Sequence, residues 1–306
     1  MTRLLVFSDI HGAVPAVEAM VRAQRGRFDA VVVAGDIGPA PTAFFEALKP
    51  LEAPVLYVYG NWDCHLPYEH RFHDRFIHLH GAAIRVGDLH LVGFSGCPTQ
   101  WGQNPHWLAL FEAVKKRHRK TLEQIEGSLY PRLKEPAVRS YWEDVSAAWK
   151  DTLIRNRRET LARIDEAPCG LDRVVLVTHE RLFRLPDEVP GLGAHVFGHR
   201  HGFGHTKHRG MTLVNVSALD PLVAFGARYG VLEWTRGRGF SVSARSLPRS
   251  DRLRRNCHKF KSTYRSTTEV GPLHRPVIRP LDPLGRELRR PVVVLPLTVR
   301  VRTSVS

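Results

Sequence analysis

Three short apolar segments near the N-terminus are separated by two segments whose apolar residues have helical spacing. The apolar segments are Leu4–Phe7, Ala30–Ala34 and Pro54–Tyr59, and the helix-like segments are Ala13–Arg25 and Pro41–Lys49. Strands that alternate with helices in this order predict a parallel sheet with right-handed crossover connections. The chain is therefore predicted to be an α/β protein.

Polar side chains follow each of these strands and two later ones. In chain order they are Asp9, His11, Asp36, Asn61, His179, His199 and His201. Ligands of open α/β sheets bind at the carboxyl ends of the strands, and Asp, Asn and His suit Mn²⁺, Fe or Zn²⁺. Each residue alone has an ordinary explanation, such as a helix cap or a turn. Their recurrence at five strand ends favours a metal site.

The series Asp-x-His, Gly-Asp, Gly-Asn-x-Asp, Thr-His and Gly-His-x-His resembles the signature of calcineurin-like metallophosphoesterases, across roughly residues 3–235. The resemblance implies a four-layer αββα sandwich with an inserted helical segment and two divalent metal ions. Mn²⁺ is the leading candidate, with Fe, Zn²⁺ and Ni²⁺ as alternatives. By this resemblance Asp9, His11 and His201 bind the first ion, Asn61, His179 and His199 bind the second, and Asp36 bridges both.

The family's chemistry implies hydrolysis of a phosphate ester by a hydroxide that bridges the metals, with Asp36 and Asn61 among the catalytic residues. We expect a phosphodiester substrate of nucleotide or nucleic-acid type. A phosphomonoesterase for a small metabolite and a catalytically weak binding scaffold of the same fold are the alternatives.

The sequence departs from the family pattern at Trp62, where many members have a histidine that protonates the leaving group. An indole N–H does not titrate, so Trp62 does not replace that acid. The absence of this acid favours phosphodiesters over phosphomonoesters as substrates. His65 is a candidate replacement acid and Arg200 a candidate ligand of a substrate phosphate, while the role of Asp63 stays open.

Residues 105–166 are rich in Lys, Arg, Glu, Leu and Trp and are predicted to form helices inserted between sheet strands. Their tryptophans, including Trp107, Trp142 and Trp149, either cover the metal cleft or are buried within a helical hairpin. The hairpin interpretation is favoured.

Much of the net charge of +15 lies near the C-terminus. Residues 245–306 contain 15 Lys/Arg and 4 Asp/Glu, whereas residues 1–244 contain 30 and 26. We therefore predict a metallophosphoesterase domain over 1–244 and a basic, poorly ordered extension over 245–306, through which nucleic acid is a possible partner.

No apolar run approaches the roughly 20 residues that span a bilayer. The four cysteines are scattered, which argues against a disulfide framework. These features predict a soluble, cytoplasmic protein, and they leave its oligomeric state open.

Overall fold

The computed structural model describes most of the chain up to Thr267 and two short strands beyond it. The described residues are 1–24, 26–63, 66, 74–95, 104–124, 132–267, 277–278 and 292–293.

The described residues form fourteen strands. They are β1 (Thr2–Phe7), β2 (Ala30–Ala34), β3 (Val55–Val58), β4 (Phe76–His78), β5 (Ala83–Val86), β6 (Leu89–Phe94), β7 (Val174–Thr178), β8 (Ala194–Phe197), β9 (Gly204–His208), β10 (Met211–Asn215), β11 (Arg228–Thr235), β12 (Gly239–Ser246), β13 (Val277–Ile278) and β14 (Val292–Val293).

Seven α-helices occur in the same residues. They are α1 (Val14–Ala23), α2 (Pro41–Leu48), α3 (Pro105–Arg117), α4 (Arg119–Glu123), α5 (Pro136–Asp165), α6 (Leu185–Glu188) and α7 (Asp251–Thr267). Proline occupies the first turn of α1, α2, α3 and α5, where its missing N–H leaves no intrahelical bond unmade.

Two six-stranded sheets form the body of the protein, with strand orders β12-β11-β1-β2-β3-β4 and β5-β6-β7-β8-β10-β9. The predicted parallel core is present, because β1 to β4 pair in parallel. The strands of this core are buried along their length, as expected for a sheet covered on both faces.

The core has three layers of apolar contacts. Side chains from the two sheets meet in one cluster that includes Val32 of β2 and Val175 of β7. Helices α1, α2 and α7 cover the outer face of the first sheet, and α5 and α6 cover that of the second. The four-layer αββα sandwich predicted from the resemblance is thus confirmed.

The inserted segment forms helices α3, α4 and α5. Trp107 of α3 packs with Tyr141 and Val145 of α5, and Trp142 and Trp149 lie against the same cluster. The distal part of α5 packs on the second sheet through Ile164. The tryptophans that the structure describes are therefore placed as the helical-hairpin interpretation expects.

The C-terminal segment differs from its prediction. The expected boundary at residue 244 falls inside β12, and α7 follows over Asp251–Thr267. Leu253, Cys257 and Phe260 have the i, i+4, i+7 spacing of a helix face and pack on the core beneath α1. Most other positions of this helix are charged or polar, so the composition of the segment does not reveal its apolar face.

Among the described residues, none of the helices combines the length and the apolar character needed to cross a bilayer.

Candidate metal centre

The seven predicted ligand residues lie at one end of the sandwich. Asp9 and His11 follow β1, Asp36 follows β2, Asn61 follows β3, His179 follows β7, and His199 and His201 follow β8. Both sheets present their carboxyl ends at this point, so side chains far apart in the sequence meet there.

Five of these residues have left-handed backbones. Their φ angles are 53° for Asp9, 49° for His11, 56° for Asp36, 70° for His199 and 52° for His201. Such conformations cost of order 1–3 kcal/mol each and cluster at functional sites. The strained backbone at these positions directs the side chains into a single cluster.

Two glycines allow the strand ends to approach one another. A Cβ on Gly35 would lie 2.7 Å from Nδ1 of His179, and one on Gly198 would lie 2.6 Å from Oδ2 of Asp9. Only glycine leaves space for these side chains.

The first group of ligand atoms surrounds Asp9. Its Oδ1 lies 3.1 Å from Nε2 of His201 and 4.0 Å from Nε2 of His11. Among the described residues this oxygen is buried and accepts no hydrogen bond. A buried carboxylate oxygen is costly without a partner, and a cation would supply one.

The second group joins Asn61 to two histidines. Oδ1 of Asn61 lies 3.1 Å from Nε2 of His179 and 3.1 Å from Nδ1 of His199. The two histidine nitrogens are 3.3 Å apart. These three atoms lie close enough to one another to bind a single ion.

Asp36 lies between the two groups. Its Oδ2 is 3.3 Å from Nε2 of His11 and 3.3 Å from Nε2 of His179. One carboxylate therefore reaches both groups, which is the arrangement that a bridging ligand needs.

Hydrogen bonds orient the rings of His11 and His179. Nδ1 of His179 lies 2.7 Å from the carbonyl oxygen of Ala34, to which it donates, so Nε2 is the ring nitrogen that could bind a cation. Nδ1 of His11 lies 3.3 Å from Oδ2 of Asp220, which leaves its Nε2 facing Asp36. Asp220 was not predicted to take part.

Charges around the buried histidines favour their protonated forms. Burial lowers the pKa of His11, but hydrogen bonds to Asp220 and Asp36 outweigh it and raise the pKa to about 9. The pKa of His179 is likewise lowered by burial but raised to about 10 in total by Asp36 and Asp9. A cation that enters the cluster must therefore displace protons, so its affinity increases with pH.

Asp63 connects two of the ligand loops, a role that its sequence position did not reveal. Its Oδ1 accepts the N–H of Gly38 at 2.9 Å, and its Oδ2 accepts the N–H of Gly60 at 2.8 Å. Burial and the charge of Asp36 raise the pKa of Asp63 to about 7, although the two N–H groups oppose this. The side chain fixes the loops that carry Asp36 and Asn61.

Comparison with known proteins finds a family match for the N-terminal part of the chain. Residues 2–125 match the family model of the calcineurin-like phosphoesterase superfamily domain. No curated protein matches the chain.

Several solved structures are similar to this chain. A predicted phosphoesterase from Streptococcus pneumoniae is 14% identical, with 80% of this chain and 90% of that chain covered and a TM-score of 0.37. Phosphopantetheinyl hydrolase from Mycobacterium tuberculosis is 17% identical, with 71% and 89% covered and a TM-score of 0.34. Vps29 from Entamoeba histolytica, complexed with Zn²⁺, is 16% identical, with 81% and 100% covered and a TM-score of 0.34.

The donor set at this end of the sandwich fits divalent cations. Asp9, His11 and His201 offer ligand atoms within 4.8 Å of one another, and so do Asp9, Asp36 and His179. The nitrogen and oxygen donors and the unbonded Oδ1 of Asp9 suit borderline metal ions.

The other predicted site residues have different positions. Trp62 follows Asn61 at the mouth of the centre and is 39% exposed, with its ring centroid 4.9 Å from that of His11. Arg200 is exposed between two ligands, and its guanidinium lies 5.7 Å from the ring centre of Phe183. His65 lies outside the described residues.

Proposed function

We propose that the protein is a metal-dependent phosphodiesterase with two divalent ions, Mn²⁺ foremost and Fe, Zn²⁺ or Ni²⁺ as alternatives. The observation that supports this most is the position of Asp36 Oδ2, 3.3 Å from a histidine nitrogen of each ligand group. A pair of ions bound there would lower the pKa of a water and offset charge on the phosphoryl oxygens.

The chain's own residues hold and shield this centre. Asp9, His11 and His201 supply one set of donors, and Asn61, His179 and His199 supply the other. Burial of Asp9 and Asp36 removes competing water, which strengthens their attraction for cations. Asp36 separates the two groups and reduces repulsion between the positive charges.

The residue at the mouth of the centre supports a diester substrate. Trp62 stands where many relatives have an acidic histidine, and its side chain has no proton to give at neutral pH. A diester with a good leaving group needs that proton less than a monoester with a poor one does. A small-metabolite phosphomonoesterase and a binding scaffold are the other candidates, and contact with nucleic acid through the basic C-terminal segment stays a prediction.

The test combines elemental analysis with an ester panel. We expect about two divalent ions per chain and metal-dependent hydrolysis of bis(p-nitrophenyl) phosphate that exceeds hydrolysis of p-nitrophenyl phosphate. Asp36→Asn should lower metal content and turnover, whereas Asp165→Asn, which changes an exposed carboxylate at the end of α5, should change neither. Full activity of Asp36→Asn would contradict a bridging role, and a monoester preference would contradict the diester assignment.

A further inference from the structure

A pocket of about 340 Å³ opens beside the candidate metal centre. His11 and His201 of the first ligand group form part of its lining. The rest of the lining is supplied by Trp62, Asp220, Leu222, Val223, His258, Lys261 and Ser262. The volume lies within the range of small-molecule sites, so a group attached to a metal-bound phosphate has room there.

One side of the pocket is apolar and aromatic. Trp62 is 39% exposed although its ring lies 4.9 Å from that of His11, so indole surface remains accessible beside the centre. Leu222 and Val223 add aliphatic surface. Such a surface favours a planar organic group, which stacks on an indole face.

Another part of the lining comes from α7, which is anchored to the core. Cys257 is fully buried in the core, and Leu253 and Phe260 pack beside it. Lys261 Nζ lies 2.5 Å from Oδ2 of Asp220, the carboxylate that also contacts His11. The helix is thereby attached both to the core and to the residues behind the first ligand group.

His258 follows the buried Cys257 and is exposed in the pocket wall. Its ring nitrogens offer a donor or an acceptor to a bound group, and Ser262, one helical turn further along, offers a hydroxyl. These polar groups and Trp62 line the same pocket.

We propose that this pocket binds the organic group of the phosphate ester, a planar aromatic group such as a nucleobase, between Trp62 and His258 of α7. The proposal rests on the proposed function for the placement of the phosphate. Helix α7 lies outside residues 2–125, which the family model matches, so the contribution of His258 comes from a part of the chain that the match does not cover.

The test measures binding rather than turnover. Calorimetry on the full-length protein with Mn²⁺ compares thymidine 5′-monophosphate with methyl phosphate, which share the phosphate but not the base. We expect the wild type to prefer the nucleotide about tenfold or more, and Trp62→Ala and His258→Ala each to reduce that preference about fivefold. Both variants should keep the wild-type affinity for methyl phosphate. The control is Asn256→Ala, an exposed α7 position outside the pocket lining, which should leave the preference unchanged.

The outcomes separate this proposal from the proposed function. Equal affinity of the wild type for the two ligands, no measurable nucleotide binding, or an unchanged preference in both variants would overturn the pocket assignment. Turnover of methyl p-nitrophenyl phosphate is measured in parallel. If the protein prefers the nucleotide but hydrolyses no ester, the proposed function is refuted and the pocket assignment stands. If it hydrolyses esters but does not prefer the nucleotide, the pocket assignment is refuted and the proposed function stands.

Discussion

The backbone N–H of Trp62 donates a 2.8 Å hydrogen bond to Oδ1 of Asp36. The contact uses the main chain, so it does not depend on which side chain occupies position 62. The residue that departs from the family pattern therefore still supports the carboxylate proposed to bridge the two ions, and its side chain is open to substitution.

Replacing this side chain by histidine should restore a leaving-group acid. We expect Trp62→His to raise the turnover of phenyl phosphate, whose phenolate is a poor leaving group, by about tenfold or more, because a positioned general acid contributes about 10²-fold or more in favourable cases. Steady-state kinetics on the Mn²⁺-loaded protein measures the change. Trp62→Phe is the control, since it keeps the backbone bond and adds no acid. Equal monoester rates in both variants would contradict the role assigned to the missing histidine.

Removal of the Asp63 carboxylate should loosen two ligand loops together. Asp63→Ala leaves the buried N–H groups of Gly38 and Gly60 without their acceptor, at a cost of about 2–4 kcal/mol in the free energy of unfolding. Urea unfolding in the presence of a chelator measures this cost apart from metal binding. Asp29→Ala is a matched control, because Asp29 also accepts a backbone N–H, from Arg3, but is exposed. Equal losses in the two variants would argue against a special role for Asp63.

Asp220 should control metal affinity through His11. Its carboxylate holds Nδ1 of His11 and leaves Nε2 for the first ion, and loss of such a partner typically costs about 10–100-fold in affinity. We expect Asp220→Asn to weaken Mn²⁺ binding by that factor in calorimetry. Asp187→Asn, an exposed change in α6, should bind Mn²⁺ as the wild type does. Unchanged affinity in Asp220→Asn would show that His11 is held by other contacts.

Buried His195 should make the protein less stable in acid. Its Nε2 donates to Oγ1 of Thr178 at 2.8 Å, and burial, with the charges of Arg181 and Arg157, lowers its pKa to about 3. The unfolded chain binds a proton at this residue below about pH 6.5, whereas the folded protein does not until about pH 3. The free energy of unfolding therefore decreases as the pH falls through this range.

The effect is measured by denaturant unfolding of the metal-free protein at pH 7 and pH 5. The loss of unfolding free energy between these values should be about 2 kcal/mol smaller in His195→Gln than in the wild type. His208→Gln, which changes an exposed residue, should show the wild-type difference. The same pH dependence in His195→Gln and wild type would mean that His195 is protonated in the folded state.

The residues that the sequence singles out for the candidate centre lie close together because they occupy strand ends. Buried strands such as β2 are visible as apolar runs, and a polar residue directly after one, such as Asp36, is constrained to the edge of the sheet. The family resemblance then supplied the second sheet, which the local pattern alone did not give.

Other parts of the site depend on contacts between residues that are distant in sequence. Asp220 meets His11 across 209 positions, and Lys261 joins them from a helix whose charged composition resembled a solvated tail. Asp63 binds two backbone N–H groups, one of them in a different loop, and no side-chain pattern records such a bond. The left-handed backbone at His199 and His201 is likewise set by the packed loops rather than by residue type.

The position of Lys261 has a practical consequence for protein production. The chain could be shortened at residue 125, where the family match stops, or at residue 244, where the charge composition changes. Either version would lack α7 and the ammonium group of Lys261 that lies against Asp220. Recombinant material cut at either point would expose the face of α1 now covered by Cys257 and Phe260. Poor solubility or weak metal binding of such fragments would result from the loss of α7 and would not report the metal affinity of the full-length protein.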